Sequence, residues 1–140
     1  MNDSALVSRW HGLAPYLLSA LRIVAAFLFL QFGTAKWFAL PAAIMPGGGT
    51  APIGSLAGIA AVLETVGGVL LLVGLFTRPM AFLLSGEMAV AYFYAHAPQG
   101  FWTVLNQGTD AALYAFVWLY FSAAGPGPWS IDARRRPPSS

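Results

Sequence analysis

Residues 21–37 read LRIVAAFLFLQFGTAKW, an almost wholly apolar run that nevertheless carries two cations, Arg22 and Lys36. The cations are fourteen residues apart, close to four helical turns at ~3.6 residues per turn. A helix here therefore places both on roughly one face, together with Ala25, Ala26, Phe29 and Gly33. Two cations on one face of a membrane helix are costly unless that face looks into a protein interior. The later apolar segments bring the groups such an interior needs, Glu64, Glu87 and Asp110.

The composition around this stretch agrees with a lipid-exposed chain. Of 140 residues, 58% are hydrophobic and 9% charged, against about 25% charged in an average soluble domain. So few charges cannot cover a soluble fold of this size, so the bilayer is expected to solvate much of the surface. The formal net charge is only +2 and the basic residues are scattered apart from Arg134, Arg135 and Arg136, which is a poor footprint for nucleic acid. There is no cysteine, so disulfides, thiolate metal sites and a dithiol relay on this chain are excluded. No residue spacing asks for a metal or builds a phosphate loop or nucleophile elbow.

Working outward, residues 1–14 form a short polar lead and residues 15–40 the first apolar segment, with Pro15 suited to the first turn of its helix. Residues 41–52, PAAIMPGGGTAP, are a Pro/Gly loop, read as an exposed hairpin or a flap over the bundle mouth. The second segment covers residues 53–76. Its only charge, Glu64, has Ala60, Ala61, Gly67 and Gly68 at helical spacing, small residues that let another helix approach. The third covers residues 79–95 and contains Glu87, and the fourth covers residues 109–124 and opens with Asp110. About 20 residues span a bilayer core, so the first segment is long enough even with wet ends. The fold expected is all-α, a transmembrane four-helix bundle over residues 15–124, followed by a basic, Pro-rich tail at 125–140 in which GPGPWSID breaks the helix and residues 134–140 are disordered. Four spans place both termini on one side with Arg9, Arg78 and the arginine run, which makes that side cytoplasmic. Trp37, Trp102, Trp118 and Trp129 read as interfacial belt residues.

Depth follows from a rise of ~1.5 Å per residue. Counted from Pro15 and Pro79, Arg22 and Glu87 fall at similar depth with opposite signs, so they are expected to form a structural ion pair. Glu64 falls nearer mid-membrane with no partner at its own depth. Lys36, His96, Asn106 and Asp110 gather toward the outer face. Together, Lys36, Glu64, His96, Asn106 and Asp110 are the candidate polar pocket.

The ordered set Leu21-Arg22, Phe29, Gly33, Lys36, Glu64, Gly67-Gly68, Gly74-Leu75, Thr77-Arg78 and Ala81 resembles the opening half of DoxX-family membrane proteins. So does His96, Pro98, Gly100-Phe101-Trp102, Asn106, Gly108, Leu113-Tyr114 and the run GPGPWSID at residues 125–132. The resemblance implies a four-helix bundle of the bacterial inner membrane. It also implies a link to oxidoreduction, because relatives include a quinone-linked thiosulfate-oxidising subunit and a partner of a membrane-associated, radical-detoxifying complex. Where the family commonly has Asn-Gly-Gly-Glu at the start of the last helix, this chain has Asn106-Gln107-Gly108-Thr109, with the carboxylate one residue later at Asp110. One residue is ~100° around a helix, so the family's carboxylate role does not carry over directly.

Two classes of function follow. The first is a membrane subunit of quinone-linked oxidoreduction or redox-stress defence, with a quinone as the possible cofactor and a redox enzyme as partner. The alternative is a noncatalytic scaffold that docks a partner enzyme through residues 41–52 and the arginine-rich tail. A small proton-coupled transporter is weaker, because the helices show no paired breaks at the midplane.

Overall fold

A computed structural model describes residues 3–137; expectations that fall on residues 1–2 and 138–140 lie outside it. Six α-helices follow in order among the described residues: α1 (Asp3–Phe38), α2 (Leu56–Val73), α3 (Thr77–Ala91), α4 (Thr103–Asn106), α5 (Thr109–Ala124) and α6 (Ile131–Arg135). Between α3 and α4 lie a π-helical turn, Tyr92–His96, and a 3-10 turn, Ala97–Gln99. No strand occurs among the described residues.

α1 and α2 are long and apolar enough to cross a bilayer. α3 and α5 have 15 and 16 residues, about 22–24 Å at ~1.5 Å per residue. α1 packs most extensively on α2 and α3 on α5, while α2 meets α3 along a thinner seam. The face predicted for α1 is the one it buries, with Arg22, Ala25, Ala26, Phe29 and Gly33 all inside.

Glycine sets the α1–α2 contact. A Cβ on Gly33 would stand 2.6 Å from both the amide nitrogen and Oγ1 of Thr65, and one on Gly68 would stand 3.2 Å from the Cα of Leu30. Backbones this close exclude any side chain at Gly33, as small-residue helix seams require. Across the bundle, α1 meets α5 through aromatic rings. Phe29 lies 5.1 Å from Tyr114 and packs edge-on to Trp118 at 5.4 Å. The Tyr114 hydroxyl donates to the Ala25 carbonyl at 3.3 Å. Trp118 is therefore a fully buried core residue and not a belt residue; a wholly apolar helix does not reveal by composition which flank faces inward.

Three boundaries differ from expectation. α1 begins at Asp3, so the lead is helical and Pro15 lies inside the helix instead of in its first turn. Asp3 in the first turn suits the positive end of the helix dipole. The arginine run is partly ordered: Ser130 caps α6 by accepting from the Ala133 amide at 3.0 Å, and Arg134 and Arg135 fill the last turn. The segment at residues 125–130 is the third difference. Instead of trailing away, it folds back as a strap over α1. The Trp129 amide donates to Ser19 Oγ at 3.1 Å, and Gly127 lies so close to Ser19 and the Pro15 carbonyl that a side chain there would collide with both.

Candidate functional site

Arg22 belongs to the strap. It is fully buried and donates through Nη1 to the Pro126 carbonyl and through Nη2 to the Trp129 carbonyl at 2.6 Å. The expected Arg22–Glu87 ion pair is not formed; the one salt bridge among the described residues is Lys36–Glu64. The physical reason is the origin of the depth count. α1 runs on to Asp3, so Pro15 does not mark a boundary. Arg22 stands level with Gly74, the C-cap of α2, where an added Cβ would lie 3.1 Å from the guanidinium carbon. Glu87 lies ten residues into α3, which starts at that same end, about 15 Å away at ~1.5 Å per residue.

Glu64 in turn does have a partner. Lys36 Nζ donates to Oε1 at 2.7 Å and to Oε2 at 2.9 Å. The carboxylate is 2% exposed and the ammonium group's side chain 24%, so the pair joins a sealed acid to a base that still reaches an opening. Gly33, one turn before Lys36, brings α1 down onto α2 beside Glu64 and so fixes this geometry.

The opening is a groove of about 840 Å³ along the α2–α3 seam. Lys36 and Glu87 line it, and most of its remaining wall is apolar, including Leu56, Leu63, Phe82 and Val90. Both carboxylate oxygens of Glu87 are buried and find no hydrogen-bond partner among the described residues. Glu64 and Lys36 are the charged groups that act on Glu87. The site is thus a bidentate Lys–Glu pair, a second carboxyl without a donor, and an apolar channel beside them. A lysine has three N–H donors, and two are engaged by Glu64. The arrangement can therefore offer one donor from Lys36 and two acceptors from Glu87 to a ligand in the groove.

The other predicted pocket residues are elsewhere. Asn106 is buried at the centre of the loop between α3 and α5. Its Nδ2 donates to the Gly100 carbonyl at 2.8 Å, and its Oδ1 accepts from the Gly108 amide at 2.8 Å. His96 donates through Nδ1 to the Asn106 carbonyl at 2.9 Å. These two hold the loop together. Asp110 lines a separate cavity of about 400 Å³ with Gln31, Tyr114 and the returning loop residues Pro41 and Ile44. So Lys36 and Glu64 are joined, His96 and Asn106 are joined, Asp110 stands apart, and Glu87 enters the site in place of the ion pair predicted for it.

The opposite end carries its own polar clasp. Asp132 accepts from the amides of Phe76 at 2.9 Å and Thr77 at 2.9 Å, capping α3 from a different helix. Phe76 has φ +52° and supplies no side-chain cap itself. Partial burial pushes the Asp132 carboxyl up, but the hydrogen bonds from Thr77 and Phe76 and the charge of Arg135 outweigh it and hold the group below its ordinary range. In reciprocal fashion Arg78 Nη1 donates to the last carbonyls of α5, Ser122 at 3.2 Å and Ala123. The sequence hint was the run PWSID, which reads only as a helix breaker because carbonyl and amide partners leave no periodic trace.

An all-helical chain with two bilayer-length apolar helices and an ion pair sunk between them is a small membrane-type protein. The profile of the DoxX family matches residues 17–97, more than half of the chain, and the protein belongs to that family. A protein of Haemophilus influenzae described as uncharacterized is 46% identical over 121 residues, covering 84% of this chain and 90% of that relative. No solved structure matches.

Proposed function

We propose that the chain is a four-span inner-membrane protein with both termini cytoplasmic, and that its α2–α3 groove binds a quinone-class ligand. In this reading it serves as a membrane subunit associated with quinone-linked oxidoreduction or redox-stress defence. The observation that carries the proposal is the groove itself, about 840 Å³, mostly apolar, with Lys36 and Glu87 in its wall. An apolar groove with a few polar groups in its wall is the form of a site for an amphipathic small molecule. The residues fit a quinone. Lys36 has an N–H left for a carbonyl oxygen of the oxidised quinone, and the two unpartnered oxygens of Glu87 suit a hydroxyl of its reduced quinol form. Each unmet buried oxygen costs ~1–3 kcal/mol, which such a donor would offset.

A quinone supplies two-electron, two-proton chemistry when bound. The chain's own part is to orient the ring oxygens through Lys36, which Glu64 holds in place, to hold a proton at Glu87, and to keep water out with the apolar wall. With no cysteine, the electrons would come from a partner enzyme.

Four spans are supported by the outward faces of the shorter helices. Phe82 and Val90 on α3, and Leu113 and Phe116 on α5, are exposed, as are Phe101, Trp102, Val104 and Leu105 in the loop at the groove end. Apolar surface on this scale asks for lipid or a partner. α3 also continues through its π-helical and 3-10 turns to Gln99, lengthening the path across the bilayer.

The test is extraction in mild detergent with native lipids, followed by solvent extraction and mass spectrometry of the bound small molecules. The expected result is a quinone at near-stoichiometric level that is lost in Lys36→Met and Glu87→Gln. Wild-type protein that carries no quinone, and that short-chain quinones fail to stabilise against heat, would refute the proposal. Reporter fusions after residues 45, 104 and 137 check the four-span topology.

A further inference from the structure

A third cavity, of about 530 Å³, opens at the end of the molecule opposite the groove, between α1, α5 and the strap. Three basic side chains line it, His11, Arg78 and Arg136, and none of its lining residues is acidic. Each comes from a different element: His11 from α1, Arg78 from α3, and Arg136 from just beyond α6. Convergence of this kind is not what a solvated charge run gives. The strap is what arranges it. Arg22 grips the strap at the Pro126 and Trp129 carbonyls, Ser19 takes the Trp129 amide, and Ser130 caps α6, fixing where Arg136 emerges.

The neighbouring charges are largely committed elsewhere. Asp132, the carboxylate of α6, faces the amides of Phe76 and Thr77. Arg135 lies over the Phe76 ring, 5.7 Å from its centroid. Arg78 uses Nη1 on the α5 carbonyls and leaves Nε and Nη2 without a protein partner among the described residues. Arg136 makes no hydrogen bond to protein there. Tyr120 adds a hydroxyl to the wall, while Leu18 and Pro15 give it an apolar floor. On the flanks, Leu13 and Leu17 of α1 and Phe116 and Leu119 of α5 are exposed, so the cationic mouth adjoins surface that the bilayer reading places against lipid.

We propose that this cavity binds the phosphodiester headgroup of an anionic phospholipid, held between Arg78 and Arg136 with Tyr120 and His11 as further donors. Basic pockets between helices on the cytoplasmic side suit such headgroups, and a planar guanidinium fork matches phosphate oxygens. The lipid source, as opposed to free phosphate, follows from the apolar floor and the flanking exposed side chains, and it rests on the bilayer reading above.

The experiment uses the full chain, delipidated in dodecyl maltoside. Phosphatidylglycerol and phosphatidylcholine with identical acyl chains are titrated separately and bound lipid is counted by native mass spectrometry, with inorganic phosphate as a third arm. Phosphatidylglycerol is expected to bind at least tenfold more tightly than phosphatidylcholine. Removing one arginine should cost about fivefold in that preference, at the usual strength of one basic residue near an anionic headgroup. Arg136→Gln is the primary variant, because it disturbs no hydrogen bond among the described residues. Arg78→Gln also uncaps α5, so only its lipid preference, and not its stability, is read. A preference below twofold in the wild type, or one unchanged in Arg136→Gln, overturns the proposal. Displacement of the lipid by millimolar inorganic phosphate at equal affinity overturns the lipid assignment in favour of a free anion. Release of the protein from membranes by alkaline carbonate would instead strike the bilayer reading, so the two failures are distinguishable.

Discussion

Removing Lys36 should destabilise the protein far more than removing Glu64, and the asymmetry can be worked from the geometry. The ammonium group lies 2.7 and 2.9 Å from the two carboxylate oxygens. At an effective dielectric of ~20, unit charges about 3 Å apart attract with roughly 5 kcal/mol before desolvation is counted. Breaking a buried pair by deleting one partner costs ~3–5 kcal/mol, mainly because the survivor is left buried and unpaired. Glu64 is the survivor in Lys36→Met, and at 2% exposure it has no route to water. Lys36 is the survivor in Glu64→Gln, and at 24% exposure it can turn its amine into the groove it lines. The first change should therefore cost ~3–5 kcal/mol, and the second about 1–2 kcal/mol, because only part of that burial penalty remains. The double change Lys36→Met with Glu64→Gln leaves no charge stranded and should be milder than the sum by about 2 kcal/mol or more. Thermal unfolding of detergent-solubilised protein, followed by intrinsic fluorescence, reads this directly, with Lys36→Met falling by about 10 °C at ~3 °C per kcal/mol for a chain of this size. Strict additivity in the cycle, or equal losses from the two single changes, would refute the reasoning and return Glu64 to an unpartnered role.

Other outcomes follow from the same structure. Gly33→Ala should cost ~1–3 kcal/mol, the range for overpacking, because its Cβ would press on the Thr65 backbone at 2.6 Å; Gly86→Ala, in a helix with nothing within 4 Å, should gain ~0.5–1 kcal/mol, and paired melting curves check both. Asp132→Ala should cost ~1–2 kcal/mol as the loss of a helix cap. Because Asp132 is held below its ordinary value near 3.8, the stability it contributes is present above that pH and is lost as pH falls through its lower folded value. Melting temperatures from pH 2 to 7 should show that acid limb in wild type and a flatter one in Asp132→Asn. Arg22→Ala should cost ~2–4 kcal/mol, since it abandons two carbonyls in a buried setting. Arg22→Ala and Glu87→Ala should be additive within ~0.5 kcal/mol, and measurable coupling between them would contradict their placement at different heights.

How much of this was legible depends on the kind of signal. The last long helix occupies residues 109–124 as read from the sequence, because Gly108 before it and Gly125 after it are unambiguous breaks. The inward face of α1 was legible for the same reason, since 3.6-residue periodicity assigns faces. Height was not legible. Periodicity says which side of a helix a charge occupies, but its depth needs an origin, and Pro15 was the wrong one once α1 continued to Asp3. That error misassigned both Arg22 and Glu87 and left Glu64 without the lysine it bonds. The strap was illegible for another reason: its contacts run from side chains to carbonyls across more than a hundred residues of chain, as with Arg22 and Trp129.

The two ends of the molecule then have an intelligible division of labour. At the end where α2 turns into α3, a three-residue connection from Gly74 to Phe76 is held by Asp132, whose carboxylate accepts from the Phe76 and Thr77 amides and whose own amide donates to the Gly74 carbonyl at 2.9 Å. α1–α2 and α3–α5 are each closely packed pairs, one zipped by Gly33 and Gly68, the other tied by Ser85 Oγ donating to the Ala115 carbonyl at 2.6 Å. The groove lies on the thinner seam between these two pairs, lined by the first half of α2 and the second half of α3, away from that connection. The π-helical turn at Tyr92–His96 adds Tyr94 and Ala95 to its wall. The Lys36–Glu64 bridge sits wholly within the α1–α2 pair, while Glu87 stands on the opposing α3. A ligand touching both Lys36 and Glu87 would therefore fasten the two pairs at the groove as Asp132 fastens them at the connection. Its binding energy would appear as raised melting temperature only when both contacts are intact, which makes loss of ligand stabilisation in Glu87→Gln a sharper measure of the site than loss of stability itself.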